Sequence, residues 1–138
     1  MMTEKILLID DDTDDQQFFT DVMGSIDSRI VCEIAGNGLE GMELLNNGSV
    51  PDMIFLDLNM PYMNGFDFLR AFRENEHWNG IPVVIFTTSD QQRDIELSKQ
   101  LGAQAFLTKP NTVRDLRISI ERLMQSNLTG ISQQMRIF

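Results

Sequence analysis

Five short apolar runs, at residues 6–9, 30–34, 53–56, 83–86 and 105–107, alternate along the chain with segments whose apolar residues recur at helical spacing. The helical segments are carried by Phe18, Phe19, Val22, Met23 and Ile26; by Leu39, Met42 and Leu45; by Phe66, Leu69 and Phe72; by Ile95 and Leu101; and by Val113, Leu116, Ile120 and Leu123. Such an order leaves few folds open. Strands that alternate with helices pair in parallel, because each connection must carry a helix back over the sheet with a right-handed turn. The pattern therefore predicts an α/β fold, a single (βα)5 doubly wound domain with helices on both faces of the sheet. Turn residues punctuate it: Asn37-Gly38 before the second helix, Asn47-Gly48 and Pro51 after it, Asn79-Gly80 and Pro82 before the fourth strand, and Gly102 after the fourth helix.

At 138 residues the chain has the length of one domain. Hydrophobic residues at 42% and charged residues at 23% fit a folded globular body, not a disordered one. Eleven Lys and Arg stand against 21 Asp and Glu, a net charge of −10, and no basic cluster interrupts them, so direct nucleic-acid binding is disfavoured. Cys32 has no disulfide partner and no metal-ligand spacing with the lone His77. No apolar run approaches the roughly 18 residues of a membrane span, and the first one ends in three aspartates where a signal peptide would continue. A cytoplasmic protein without membrane insertion is expected. From Ser126 the pattern fades, so residues 1–125 read as the domain and 126–138 as a tail without an output domain, either a frayed extension or a small docking segment.

The strand exits carry the chemistry. The first strand ends in Asp10-Asp11-Asp12, the third in Asp57, the fourth in Thr87, and Lys109 follows the fifth. In a parallel sheet these residues meet at one edge. Two unit charges 4 Å apart repel by roughly 4 kcal/mol at an effective dielectric near 20, so clustered carboxylates must protonate, splay or hold a cation. Oxygen-only ligands favour Mg²⁺, or Mn²⁺ in its place, over zinc. A carboxylate that attacks phosphorus needs charge neutralisation on the phosphoryl oxygens, which Lys109 and the metal can supply. The Thr87 hydroxyl can donate to a phosphoryl oxygen and so sense the modification.

Four motifs occur in order: Ile9-Asp10-Asp11; Asp57-Leu58-Asn59-Met60-Pro61 with Gly65 eight positions beyond the aspartate; Thr87-Thr88; and Lys109-Pro110. On these the chain resembles, up to about Gln125, the receiver domain of bacterial two-component response regulators, in the stand-alone form of the chemotaxis regulators. The resemblance implies a flavodoxin-like five-stranded parallel sheet of order 2-1-3-4-5. It makes Asp57 the phosphoacceptor, Asp11 a direct metal ligand, Asp10 a metal partner through water, and the Asn59 backbone carbonyl a further ligand. Thr87 and Lys109 would bind the acyl phosphate. Thr87 and Phe106, the latter where many relatives carry Tyr, would form a switch that remodels the surface of helix four, strand five and helix five. Asn59 and Ser89 would modulate the lifetime of the acyl phosphate. The Lys109-Pro110 bond resembles a position that is usually cis, and Asn111 is a candidate cap for helix five.

The implied function is a single-domain switch that takes phosphate from a histidine kinase or phosphotransfer protein and presents a protein-binding surface to a downstream partner. It would not be an enzyme in the turnover sense, although it would assist its own phosphorylation and dephosphorylation. A phosphorylation-linked homodimer through helices four and five is a further implication, with Arg93, Asp94, Lys99, Arg114 and Asp115 as rim charges. The plainer readings are local. Asp12 is a helix cap or near one, Asp14 and Asp15 belong to the first exposed turn with no ligand role, and Trp78 is a lid over the core edge. A phosphohydrolase of the haloacid dehalogenase type also uses an aspartate nucleophile and Mg²⁺, but it needs a second aspartate two positions on, where this chain has Asn59. A non-phosphorylated scaffold is the other alternative, and a complete set of site residues ranks it lower.

Overall fold

The computed structural model describes residues 5–125 and 135–138. Strand β1 (Lys5–Ile9) leads to α1 (Thr13–Ile26), then β2 (Val31–Ala35), α2 (Gly38–Asn46), β3 (Met53–Leu56), α3 (Gly65–Glu74), a 3₁₀ turn (Glu76–Trp78), β4 (Val83–Thr87), α4 (Gln92–Gln100), β5 (Ala105–Thr108), α5 (Val113–Gln125) and β6 (Met135–Ile137). Strands β1 to β5 are parallel and lie in the order β2-β1-β3-β4-β5. This is the α/β flavodoxin-like arrangement read from the sequence.

The sheet has one strand more than expected. Strand β6 runs antiparallel to β5, with Ala105 opposite Ile137, Phe106 opposite Arg136 and Leu107 opposite Met135. The Phe138 N–H adds a bond to the Gln104 carbonyl at 2.9 Å. The end of the segment read as a tail is thus joined to the sheet. Its physical reason is the outer edge of β5, whose backbone groups have no other strand to pair with. The rest of that segment, residues 126–134, lies outside the described residues.

Period-two alternation divides the core into two layers. Ile6, Leu8, Phe55, Val84, Phe86, Ala105 and Leu107 face α1 and α5, where Phe19, Val22, Met23, Leu116, Ile120 and Leu123 are buried against them. Leu7, Ile9, Ile54, Leu56, Val83, Ile85 and Phe106 face the other way, onto Leu45 of α2 and Phe68, Leu69 and Phe72 of α3, with Ile95 of α4 partly buried beside them. Because both faces are covered, β1, β3 and β4 read as continuous apolar runs instead of alternating ones. Trp78 stacks on Phe72 with ring centroids 5.5 Å apart and extends the second layer to the edge of the molecule.

Helix starts follow local chemistry. Asp12 accepts a hydrogen bond from the Asp15 N–H, Asn37 from Glu40 and Asn64 from Asp67, each at about the length of a good cap. At α5 the acceptor is Thr112 Oγ1, 3.1 Å from the Asp115 nitrogen, not Asn111. Asn111 is one residue too early, since the helix begins at Val113. Helix α4 starts at Gln92 after Gln91, which makes no side-chain cap bond. The Lys109–Pro110 bond is trans, as no cis bond occurs among the described residues. Trans is the intrinsically favoured isomer of an X–Pro bond by about 0.5–1 kcal/mol.

A convergent carboxylate and lysine site at the sheet edge

Backbone pairing continues one residue beyond the strands and fixes the site residues in place. Asp10 N–H donates to the Ala35 carbonyl at 3.0 Å, Asp57 N–H to Ile9 at 2.9 Å, and Lys109 N–H to Thr87 at 2.7 Å. Each strand therefore delivers its exit residue in register with its neighbour. The loop after Asp57 is equally constrained. A Cβ at Gly65 would lie 2.3 Å from the Asp57 carbonyl oxygen, so only glycine lets α3 begin this close beneath the strand end.

The side chains then converge. Asp10 is fully buried, Asp57 is buried and Asp11 is exposed, yet oxygens of all three carboxylates lie within 4.8 Å of one another. Asp10 Oδ1 accepts from the Asp12 N–H at 3.0 Å, and Asp57 Oδ1 from the Leu58 N–H at 2.8 Å. Lys109 Nζ donates to Asp10 Oδ2 at 2.8 Å, to Asp15 Oδ2 at 2.8 Å and to Asp57 Oδ2 at 3.3 Å. Its ammonium also sits 5.5 Å from the centroid of the Phe86 ring. Burial raises the Asp10 carboxyl above its ordinary value, although the Lys109 hydrogen bond, the Asp12 N–H and the lysine charge pull it down. Burial works against the Lys109 ammonium, but its hydrogen bonds to Asp10 and Asp15 and the charges of Asp57 and Asp10 outweigh it and hold the lysine above its usual range. Lys109 is a fixed cation at neutral pH.

The remaining sequence candidates surround this cluster unequally. Thr87 is fully buried at the end of β4, and its Oγ1 lies 3.5 Å from the Ser89 nitrogen. Ser89 is engaged on several sides: its hydroxyl donates to Asp94 Oδ2 at 2.6 Å and accepts from the Gln91 N–H at 3.2 Å, and its carbonyl accepts from Thr108 Oγ1 at 3.0 Å. Phe106 is buried among the residues of the second layer. Asn59 stands exposed two residues past Asp57. Asp15, read from sequence as a turn residue without a role, is instead a partner of Lys109 as close as Asp10. Nothing in the sequence singles it out from Asp14, since both are acids of the first turn of α1.

Three carboxylates thus face one ammonium and Asp11 adjoins two of them, so a single lysine leaves the site strongly negative. The donors of the Asp10, Asp11 and Asp57 group are all carboxylate oxygens, which suits a hard divalent cation of the Mg²⁺ or Mn²⁺ kind. A buried carboxylate, a fixed cation and a hydroxyl at one strand edge are the parts that acyl phosphate formation and sensing require.

Known proteins share this chain's sequence pattern and fold. The chain is 33% identical over 119 residues to the response regulator Rcp1 of Synechocystis, covering 80% of each chain. It is 31% identical over 121 residues to the probable C4-dicarboxylate response regulator DctR of Bacillus subtilis, where it covers 88% of this chain and spans only 52% of that longer protein. Among solved structures, the phosphorylated cyanobacterial phytochrome response regulator RcpA superposes with a TM-score of 0.82 at 28% identity, covering 94% of this chain and 99% of that one. The Mn²⁺-bound form of Rcp1 gives 0.79 at 28% identity, with 94% and 97% covered. The family model for the response regulator receiver domain matches residues 6–121, and with the fold and site above it assigns this chain to the response regulator receiver family of two-component signalling.

Proposed function

We propose that this chain is a single-domain response regulator phosphorylated on Asp57. The observation that carries the reading is the meeting of Lys109 Nζ with Asp10 and Asp57, beside an Asp10, Asp11 and Asp57 group of metal-binding geometry. Mg²⁺, with Mn²⁺ as a substitute, would be held by Asp10, Asp11, Asp57 and the Asn59 backbone carbonyl, and when bound it neutralises charge on the phosphoryl oxygens. An Asp57 carboxylate oxygen attacks phosphorus of a phosphohistidine, the phosphorus–nitrogen bond breaks, and the imidazole leaves with the electron pair. Lys109 stabilises the added negative charge, and Thr87 donates its hydroxyl to a phosphoryl oxygen. Asn59 and Ser89 flank the product and tune attack by water on it. The protein acts as a phosphoacceptor that assists its own modification, not as a turnover enzyme; Asn59 stands where a phosphohydrolase would need a second aspartate.

Receiver domains work with histidine kinases or phosphotransfer proteins, and we assign this one such a donor together with a downstream protein partner. We assign it to the cytoplasm, with an acidic surface and the free thiol of Cys32 in support. Residues 1–125 form the receiver and 126–138 its appendage. Thr87 and Phe106 transmit the modification to the face of α4, β5 and α5, where Arg93, Lys99, Arg114 and Asp115 offer rim charges for a partner or a second copy; Asp94 is already tied to Ser89. A phosphorylation-linked dimer on that face must accommodate β6, which occupies the outer edge of β5.

Intact mass after incubation with acetyl phosphate tests the reading. Wild type with Mg²⁺ is expected to gain one phosphoryl group, and neither Asp57→Asn nor wild type in EDTA should do so. A folded wild-type protein that gains nothing contradicts the proposal.

A further inference from the structure

We infer that Asp15 is a positioning residue for Lys109, keeping the ammonium at the phosphoryl site when a divalent cation claims its other carboxylate partners. The inference rests on the phosphoacceptor reading above. Lys109 has three N–H donors and meets three carboxylates, Asp10 and Asp15 at 2.8 Å and Asp57 at 3.3 Å. Two of the three belong to the group that gathers a cation, and Asp15 does not. A cation bound by Asp10 and Asp57 draws their charge to itself and repels the ammonium beside it. Among the described residues, Asp15 is then the one carboxylate left to Lys109 alone.

The surroundings of Asp15 suit this task. It stands in the first turn of α1, where its backbone N–H is held at 3.0 Å by the Asp12 cap, so the main chain beneath it is fixed. Its side chain is 39% exposed while that of Lys109 is 10% exposed, so the contact reaches from the rim into the site. Adjacent Gln16 holds the same turn to the first strand through a 2.7 Å bond to the Asp10 carbonyl. Replacing Asp15 by Asn keeps size and an acceptor oxygen and removes the charge. Among the described residues the ammonium then has no anionic partner outside the cation group, and it moves away from the position where it meets the phosphoryl oxygens.

The test is a double-mutant cycle read at saturating Mg²⁺ with acetyl phosphate as donor. Asp15→Asn is expected to slow phosphoryl uptake about tenfold, and Asp15→Glu to restore most of it. In a Lys109→Ala background Asp15→Asn is expected to change the rate by less than about twofold, because its effect passes through the lysine. A second readout needs no reaction: the slowly exchanging ammonium resonance of Lys109, observed by ¹⁵N NMR with Mg²⁺ present, should persist in wild type and vanish in Asp15→Asn. Equal slowing in both backgrounds would make Asp15 a direct contributor to the metal site and overturn the inference. So would unchanged uptake, or a retained ammonium resonance, in Asp15→Asn. Wild-type protein that takes up no phosphoryl group overturns the functional reading and this inference with it, whereas wild-type uptake with unaffected Asp15→Asn overturns the inference alone.

Discussion

Asp11 and Asp10 are sequence neighbours with opposite environments, one exposed and one with no solvent contact, and the difference decides what each can report. Replacing Asp10 disturbs a buried partner of Lys109, whereas Asp11 can lose its charge with little effect on the apo fold. We therefore expect Mg²⁺ to stabilise wild type by about 2.7 kcal/mol at a concentration 100 times its dissociation constant. In Asp11→Asn the same Mg²⁺ concentration should give a much smaller shift, as thermal unfolding with and without chelator will show. An equal Mg²⁺ shift in both proteins would remove Asp11 from the metal site. Asp10, Asp57, Thr87 and Lys109 were legible in the sequence because each follows an apolar run that must be a strand, and parallel strands bring their exits together. Asp15 was not legible. Its partner lies 94 residues away, and an acid in the first turn of a helix already has a sufficient local explanation in the helix dipole.

Among the elements, the connection from β3 to α3 is the tightest. Gly65 has an ordinary backbone conformation, so its requirement is one of space: the added Cβ of alanine would meet the Asp57 carbonyl oxygen at 2.3 Å and the Leu58 Cα at 2.8 Å. Both obstacles are backbone. Gly65→Ala is expected to destabilise the fold by about 1–3 kcal/mol, the range for forcing an extra methyl group into a packed place. Because the displaced atoms belong to Asp57 and Leu58, phosphoryl uptake should fall as well, which chemical denaturation and intact mass will measure on the same sample. Unchanged stability and uptake would mean that the loop yields freely. Caps at Asp12, Asn37 and Asn64 could be read from residue type and position. The start of α5 could not, since Asn111 and Thr112 are both good caps and only the observed start at Val113 selects Thr112.

At the scale of the molecule, the alternation of runs set the parallel direction of five strands, because each crossover must carry a helix back over the sheet, while their order 2-1-3-4-5 came from the resemblance to receiver domains. Strand β6 escaped because it is three residues long and pairs with a strand some thirty residues upstream; no periodicity can develop over so short a segment. It bears on the proposed partner surface nonetheless. It pairs Arg136 with Phe106, so any partner that reads the face of α4, β5 and α5 meets an edge already in use. The whole arrangement exists, in this account, to make one carboxylate among many chemically distinct: Asp57, at the exit of β3, beside Asp10, Asp11 and Lys109. The most direct test is to locate the phosphoryl group. Wild-type protein treated with acetyl phosphate and Mg²⁺, then reduced with borohydride, converts an acyl-phosphorylated aspartate to homoserine that peptide mass spectrometry can place. The account predicts homoserine at position 57 and at no other aspartate, and none when Mg²⁺ is chelated; homoserine at Asp10, Asp11 or Asp15, or labelling indifferent to Mg²⁺, would contradict it.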